Sequence, residues 1–178
     1  CSSFADSEGN LLFYSDGIEV FNKDHALMTY TDGSLANNLK GNPSSTQSGM
    51  IIPKPGSTSI YYLFTVGDRN DPAFDLYTIN MSLNNGKGQL IDEDNDGDFF
   101  EDLAEEAPAN KGSWTEKVAA VRGKDCNTFW VVSKVANFFY SYKIDETGVN
   151  LTPVISTVNN ADGERGYLKI SPNGEKLA

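Results

Sequence analysis

Residues 59–66 read Ser-Ile-Tyr-Tyr-Leu-Phe-Thr-Val and residues 74–80 read Phe-Asp-Leu-Tyr-Thr-Ile-Asn; a glycine-rich turn and Gly-Gln-Leu-Ile at 88–91 follow. The first stretch is an unbroken run of β-branched and aromatic residues, which is typical of a strand covered on both faces. The second alternates aromatic or apolar residues with polar ones, which predicts a half-buried strand. This order of strand types decides the fold, because it recurs along the chain.

The same order occurs in residues 127–156 and in residues 10–28. Opening strands are predicted at residues 48–52, 116–121 and 166–170. Four strands per unit, at a period of roughly 40–50 residues, is the signature of β-propeller blades. We therefore predict an all-β chain, a partial β-propeller of four-stranded antiparallel blades, with part of one blade, two whole blades and the start of another. The alternative is an antiparallel β-sandwich whose strands merely share composition.

A single domain, residues 1–178, holds all the predicted units. The blade units span about 1–35, 48–91, 116–158 and 166–178, and an acidic insertion spans 92–115. No window has a clean helical stripe, and the best candidate for a helix is the short acidic stretch near 99–106. Residues 166–178 predict a strand, a Pro-Asn-Gly turn and the beginning of a second strand, so we expect the chain to be a piece of a longer protein.

Composition excludes several classes of protein. Lys and Arg total 14 against 25 Asp and Glu, a formal charge of −11, which argues against nucleic acid and against an anionic membrane surface as partners. The apolar runs are too short to insert into a membrane. Two cysteines without a C-x-x-C pair exclude a zinc site, and one Cys1–Cys126 disulfide stays open. Cys1 also permits a lipid-modified lipoprotein start, although a cut chain is the favoured interpretation.

Several ordered motifs carry a family resemblance. They are Asn-Leu-Leu-Phe-Tyr-Ser-Asp-Gly at 10–17, Ser-Ser-Thr-Gln-Ser at 44–48, Ile-Pro-Lys-Pro-Gly at 52–56, Thr-Glu-Lys-Val at 115–118, Thr-Pro-Val-Ile-Ser at 152–156 and Gly-Tyr-Leu-Lys-Ile-Ser-Pro-Asn-Gly at 166–174. Together with residues 60–66 they resemble the N-terminal β-propeller region of large Bacteroidetes surface proteins that end in a type B sorting domain of the type IX secretion system. The resemblance implies a protein secreted to, or held on, the outer surface of a bacterium. It also implies that the rest of the parent polypeptide, with the missing blades, is a partner.

The insertion carries the sharpest local chemistry. Residues 92–102 read Asp-Glu-Asp-Asn-Asp-Gly-Asp-Phe-Phe-Glu-Asp, with carboxylates at alternate positions followed by a glycine. Calcium takes six to eight oxygen ligands, and glycine lets a loop turn around the ion, so this pattern predicts a Ca²⁺ loop. The predicted ligands are Asp92, Asp94, Asp96, Asp98, Glu101 and Asp102. Position 103 is Leu where an EF-hand would place Glu, so an EF-hand is not expected; the alternative is a solvated acidic insertion without an ion.

No catalytic constellation stands out in the sequence. His25 is the only histidine and is expected at the surface, and Cys126 has no neighbouring histidine to activate a thiol. The aromatic residues Trp114, Trp130, Tyr61, Tyr62, Tyr140 and Tyr142 are expected to pack in the core rather than stack on sugars. We therefore predict a non-enzymatic module for adhesion, scaffolding or binding of a surface glycan or protein. The alternative is a glycosidase or lyase that uses tunnel-facing carboxylates.

Overall fold

The computed structural model describes residues 1–104, 114–159, 163 and 165–178. In this part of the chain the structure is all-β: fourteen strands lie in three sheets, and one 3₁₀ turn occupies Asn84–Gly86. The all-β prediction is therefore confirmed. Within the described residues, no helix is long and apolar enough to cross a membrane.

The N-terminal sheet is an antiparallel meander. It consists of β1 (Ser2–Ala5), β2 (Leu11–Ser15) and β3 (Val20–Asn22), paired in that order. The chain then returns beside β3, where Asn22 donates to the carbonyl of Ala26. The turn between β1 and β2 is stabilised by the carboxylate of Asp6, which accepts the backbone N–H groups of residues 8 and 10.

The central sheet contains the stretches that open the sequence argument. Its meander is β5 (Gly49–Pro53), β6 (Ile60–Val66), β7 (Phe74–Asn80) and β8 (Gln89–Ile91). Two short strands extend it: β4 (Thr29–Tyr30) pairs in parallel with β8, and β9 (Glu101–Asp102) pairs with β7.

One expectation for the central sheet was wrong. Strand β7 is buried on both faces rather than half-buried, since even Asp75 and Thr78 are at most 5% exposed. The reason is that sheets cover both faces of β7, so its polar positions are enclosed as well. The acidic stretch near 99–106, where the helical pattern was weak, contains β9 at residues 101–102, which pair with β7; residues 105 and 106 lie outside the described part.

The C-terminal sheet repeats the meander. It consists of β10 (Trp114–Arg122), β11 (Phe129–Val135) and β12 (Phe138–Asp145), and then β13 (Gly148–Val149) and β14 (Val154–Thr157), which both pair with β12. Strand β12 alternates buried and half-buried positions, as predicted for a half-buried strand. Residues 168–178 form a C-terminal hairpin around the predicted turn, with a bridge between Ile170 and Leu177.

The sheets stack face to face in chain order. On β6 the side chains alternate: Tyr61 and Leu63 belong to the cluster shared with the N-terminal sheet, and Tyr62 and Phe64 to the cluster shared with the C-terminal sheet. The C-terminal hairpin covers the far face of the C-terminal sheet through Leu168. The structure thus has three separate sheets, each built from consecutive strands, rather than a single sandwich of two sheets.

A polar seam runs between the opening strands of the sheets. Strand β5 lies beside β1 on one side and beside β10 on the other. The side-chain oxygen of Gln47 accepts the backbone N–H groups of Val118 at 3.3 Å and Leu168 at 2.8 Å. The carboxylate of Glu116, only 5% exposed, accepts the backbone N–H and the hydroxyl of Thr46. These bonds satisfy polar groups that stacking would otherwise bury without partners.

Candidate functional site

The acidic loop between β8 and β9 is a tight turn that gathers carboxylates. Asn95 and Gly97 take left-handed backbone angles, with φ of 61° and 102°. The carboxylate of Asp92 accepts the backbone N–H of Asn95 at 2.7 Å and of Gly97 at 3.0 Å. The chain therefore folds back so that oxygens of Asp92, Asp94 and Asp96 lie within 4.8 Å of one another.

Three of the six predicted ligands form this group, and three do not. Asp98 follows the turn and lies outside the group, while Glu101 and Asp102 belong to β9. Asp102 accepts the backbone N–H of Ala104. Burial, and then the nearby charges of Asp94 and Asp96, raise the pKa of Glu101, so this carboxylate lies close to the loop without joining the triad.

The triad suits a hard cation. Clustered carboxylate oxygens are the ligands that Ca²⁺ and Mg²⁺ prefer, and Ca²⁺ completes a shell of six to eight oxygens with backbone carbonyls and water. Asp94 and Asp96 are exposed, so an ion could reach them from solvent. The two oxygens of Asp92 already accept backbone N–H groups, which fixes their direction.

A cavity of about 220 Å³ adjoins the acidic loop. It lies between the central and C-terminal sheets, where β7, β8 and β9 face β13. Its lining combines four carboxylates with an apolar wall; the carboxylates are Glu93, Asp94, Asp98 and Glu101, and the apolar residues are Leu76, Ile91, Phe99, Phe100, Val149 and Leu151. Sequence reasoning missed this cavity because its walls come from stretches that are far apart in the chain.

The hydroxyl of Tyr62 lies buried beside this cavity. Tyr62 is fully buried, and its hydroxyl makes no hydrogen bond of good geometry, although the Glu93 carboxylate lies close enough to interact with it. That oxygen lies 3.4 Å from where a Cβ on Gly148, part of the cavity wall, would stand. Burial, and then the nearby charge of Glu93, raise the pKa of Tyr62. The Glu93 carboxylate also accepts the hydroxyl of Thr78 at 2.8 Å and lies 3.5 Å from the ammonium of Lys54.

The structure also places the other residues singled out in the sequence, namely the histidine, the two cysteines and six aromatic residues. His25 is exposed and rests against Tyr14, and Cys1 and Cys126 are free and exposed, so the structure contains no Cys1–Cys126 disulfide. The expectation of core packing is confirmed for five of the six aromatic residues, Trp114, Tyr61, Tyr62, Tyr140 and Tyr142. Trp130 is half-buried and lines a groove beside the C-terminal hairpin.

The carboxylate nearest the opening strands is structural. Glu116 accepts two hydrogen bonds from Thr46 and lies 3.5 Å from the guanidinium of Arg165. Burial raises the pKa of Glu101, which lies on the outer strand β9 rather than at the seam.

Comparison with models of known protein families, with characterised proteins and with solved structures found no match.

Proposed function

We propose that the three sheets are successive blades of a β-propeller. One observation carries the proposal: each sheet is a meander of consecutive strands, and the sheets stack in chain order with their opening strands side by side. Blades arranged around an axis require this neighbourhood of first strands, whereas a two-sheet sandwich does not. The C-terminal hairpin, which packs on the far face of the third sheet, is then the start of another blade.

Because the C-terminal hairpin is proposed to start another blade, we also propose that the rest of a parent polypeptide is a partner of this chain. A groove of about 1120 Å³ lies between the C-terminal sheet and the hairpin. Trp130, Val132 and Phe139 line it, and the hairpin contributes Ile170 and Leu177. In the cluster between the central and C-terminal sheets, β12 contributes Tyr140, Tyr142 and Ile144, and Val149 of β13 packs against them. Further strands of a fourth blade would fill this groove in the same way.

The biochemical role that we propose is non-catalytic binding or scaffolding by a module that is secreted or lies on the outer surface of a bacterium. Its acidic, cysteine-poor composition suits an exported protein stabilised by sheets. The acidic loop and the cavity both lie at outer strands, where loops vary without disturbing the stacked core. The carboxylate at the seam is engaged by Thr46, which favours binding over glycoside hydrolysis or elimination.

A binding panel with a product assay tests this role. The chain is offered purified polysaccharides and extracellular proteins, and retention is measured together with release of reducing ends and unsaturated uronates. Retention of a glycan or a protein without product is expected. Product formed at a rate that scales with enzyme concentration would establish the glycosidase or lyase alternative, and no retention across the panel would contradict the binding role.

We also propose that the loop triad binds Ca²⁺. Support comes from the three carboxylates within 4.8 Å and from the glycine turn that gathers them. Calorimetric titration with calcium chloride should detect one site, and excess EDTA should lower the melting temperature. Asp94→Asn should abolish the response, whereas the matched control Asp71→Asn, an exposed aspartate in the loop before β7, should leave it intact. An unchanged melt in EDTA and no heat of binding would refute calcium.

A further inference from the structure

The groove between the C-terminal sheet and the hairpin has room for a segment of polypeptide. Its floor is the far face of the sheet, with Trp130, Val132 and Phe139, and its wall is the hairpin, with Ile170 and Leu177. The groove measures about 1120 Å³, whereas voids left by imperfect packing are seldom larger than a water molecule. The space is therefore that of a chain segment rather than of a single side chain.

The hairpin turns an unpaired backbone edge toward this groove. Lys169 and Ala178 exchange two backbone hydrogen bonds, of 2.8 and 2.9 Å, and Ser171 donates to the carbonyl of residue 176 at 2.8 Å. In an antiparallel pair with this pattern, the N–H and C=O groups of the residue between them, Leu177, point away from the first strand. Within the described residues, no backbone hydrogen bond involves Leu177. A further strand can therefore pair with this side of the hairpin.

The interface between the central and C-terminal sheets shows which kind of strand occupies the equivalent place. The hairpin corresponds to β10 and β11, and there β12 is the next strand, paired with β11. Alternate residues of β12, namely Tyr140, Tyr142 and Ile144, pack into the cluster shared with the central sheet. The acids that follow, Asp145 and Glu146, line a pocket together with the turn between β5 and β6. A strand placed in the groove in the same way has three apolar residues at alternate positions and then carboxylates.

The charge of the groove is complementary to such carboxylates. Its lining includes Arg122 at the end of β10 and Lys124 in the turn that follows, which corresponds to the turn between β5 and β6. Lys176 lines it from the hairpin, and Glu175 is the one acid among the described lining residues, on a chain with a net charge of −11. None of the three cations forms an ion pair with another described residue. They can therefore pair with carboxylates at the end of an added strand.

We propose that this groove binds a β-strand of the parent polypeptide, the third strand of a fourth blade, as an added strand on the hairpin edge at Leu177. The inference gives the chemistry of the partner proposed above, and it rests on the proposal that the sheets are blades. The strand covers the apolar floor around Trp130 with three alternate side chains, and the carboxylates at its C-terminal end pair with Arg122 and Lys124.

Titration of the full chain with a peptide tests the proposal. The probe is an amidated, fluorescein-labelled peptide with the sequence of residues 138–147, Phe-Phe-Tyr-Ser-Tyr-Lys-Ile-Asp-Glu-Thr, and binding is measured by fluorescence anisotropy. A second peptide has serine in place of both tyrosines and should bind at least tenfold more weakly. A third has Asn-Gln in place of Asp-Glu and should bind about threefold more weakly, with the difference reduced at high salt.

The peptide results decide between occupants. No binding of the probe, or equal affinity for the serine peptide, would overturn the proposal, and equal affinity for the Asn-Gln peptide would overturn the role of the cations. Displacement of the probe by a polysaccharide would assign the groove to a glycan instead. Probe binding that falls as the chain concentration rises would assign it to a second copy of this chain.

Variants of the chain locate the bound strand. Leu177→Pro removes the outward N–H and should weaken the probe about fivefold, whereas Leu177→Val, which keeps that N–H, should change affinity less than twofold. Lys124→Gln should reduce the preference for the acidic peptide, whereas Lys23→Gln, an exposed control with the same change of charge, should leave it intact. Thermal melts confirm that each variant is folded. Unchanged binding to Leu177→Pro would refute strand addition.

The stacking of the sheets is measured separately, by a double-mutant cycle between Phe74 and Trp114, whose rings stack across two sheets. If that coupling is found and the probe does not bind, this inference alone fails. If the coupling is absent, the proposal of successive blades fails, and this inference fails with it.

Discussion

The contact between Phe74 and Trp114 offers a direct test of how the sheets are stacked. The two rings stack at 5.3 Å between centroids, with Phe74 on β7 of the central sheet and Trp114 on β10 of the C-terminal sheet. Phe74→Leu keeps most of the volume and should destabilise the fold by about 1–2 kcal/mol. Trp114→Leu should cost about 2–4 kcal/mol, because it also removes the hydrogen bond from the indole N–H to Ser133.

The double variant should be less destabilised than the sum of the two single variants. Aromatic pairs contribute about 0.5–1.5 kcal/mol beyond their buried area, so a coupling energy of about 1 kcal/mol is expected. Urea denaturation at constant pH measures each corner of the cycle. In a thermal melt, the same coupling corresponds to about 2–4 °C for a chain of this size.

Phe13 supplies the control for this cycle. It is fully buried in the cluster on the opposite face of the central sheet, where it packs edge-on against Tyr61. A cycle between Phe13→Leu and Trp114→Leu should be additive to within about 0.5 kcal/mol, since no contact links them. The stacking order would be refuted if the Phe74–Trp114 coupling vanished, or if the control cycle showed the same coupling.

Three further perturbations probe the seam, the acidic loop and a tight turn. Gln47→Leu leaves the N–H groups of Val118 and Leu168 without their acceptor, so it should cost about 2 kcal/mol and lower the melting temperature by about 4–8 °C; an unchanged melt would contradict the seam. Burial raises the pKa of Glu101 in the folded protein. The folded protein therefore loses stability as the pH rises from the ordinary pKa of glutamate through this raised pKa. Glu101→Gln should therefore raise the melting temperature in EDTA by about 1–2 °C at pH 7 and by nothing near pH 3, and a gain at both pH values would contradict this cause. Gly41→Ala would push a Cβ into the carbonyl oxygen of Gly17, so it should lower the free energy of unfolding by about 1–3 kcal/mol in urea denaturation. An unchanged urea midpoint would show that the backbone shifts to make room for the methyl group.

The sequence predicted the strands best where one local signal was enough. Residues 60–66 form an unbroken apolar run, and the structure buries that strand on both faces. The alternation in residues 74–80 was misleading because Asp75 and Thr78 are enclosed by neighbouring sheets, which a local pattern cannot reveal. The parallel pairing of Thr29 with Gln89 was equally hidden, since it joins segments 60 residues apart.

The candidate site, too, could be predicted only where a local sequence pattern was enough. The triad could be predicted because Asp92, Asp94 and Asp96 are spaced by two residues and precede a glycine that reverses the loop. Asp98, Glu101 and Asp102 fell outside the triad because β9 draws the chain into pairing with β7. The cavity could not be predicted, because its walls join residues near 76, 91, 101 and 149, which only the stacked sheets bring together.

Stability and binding are separable in this architecture. The seam at Gln47, Thr46 and Glu116 joins the opening strands of the stacked sheets, and its hydrogen bonds tie segments 70 or more residues apart. The acidic loop and the cavity lie instead at the third and later strands, and Asp94 and Asp96 of the loop are exposed. Neutralising Asp94 should therefore abolish calcium binding with little effect on the folding of the calcium-free chain, whereas changing Gln47 should destabilise the stacked sheets without altering the acidic loop. A protein organised in this way can vary its binding surface while the order of its sheets is maintained.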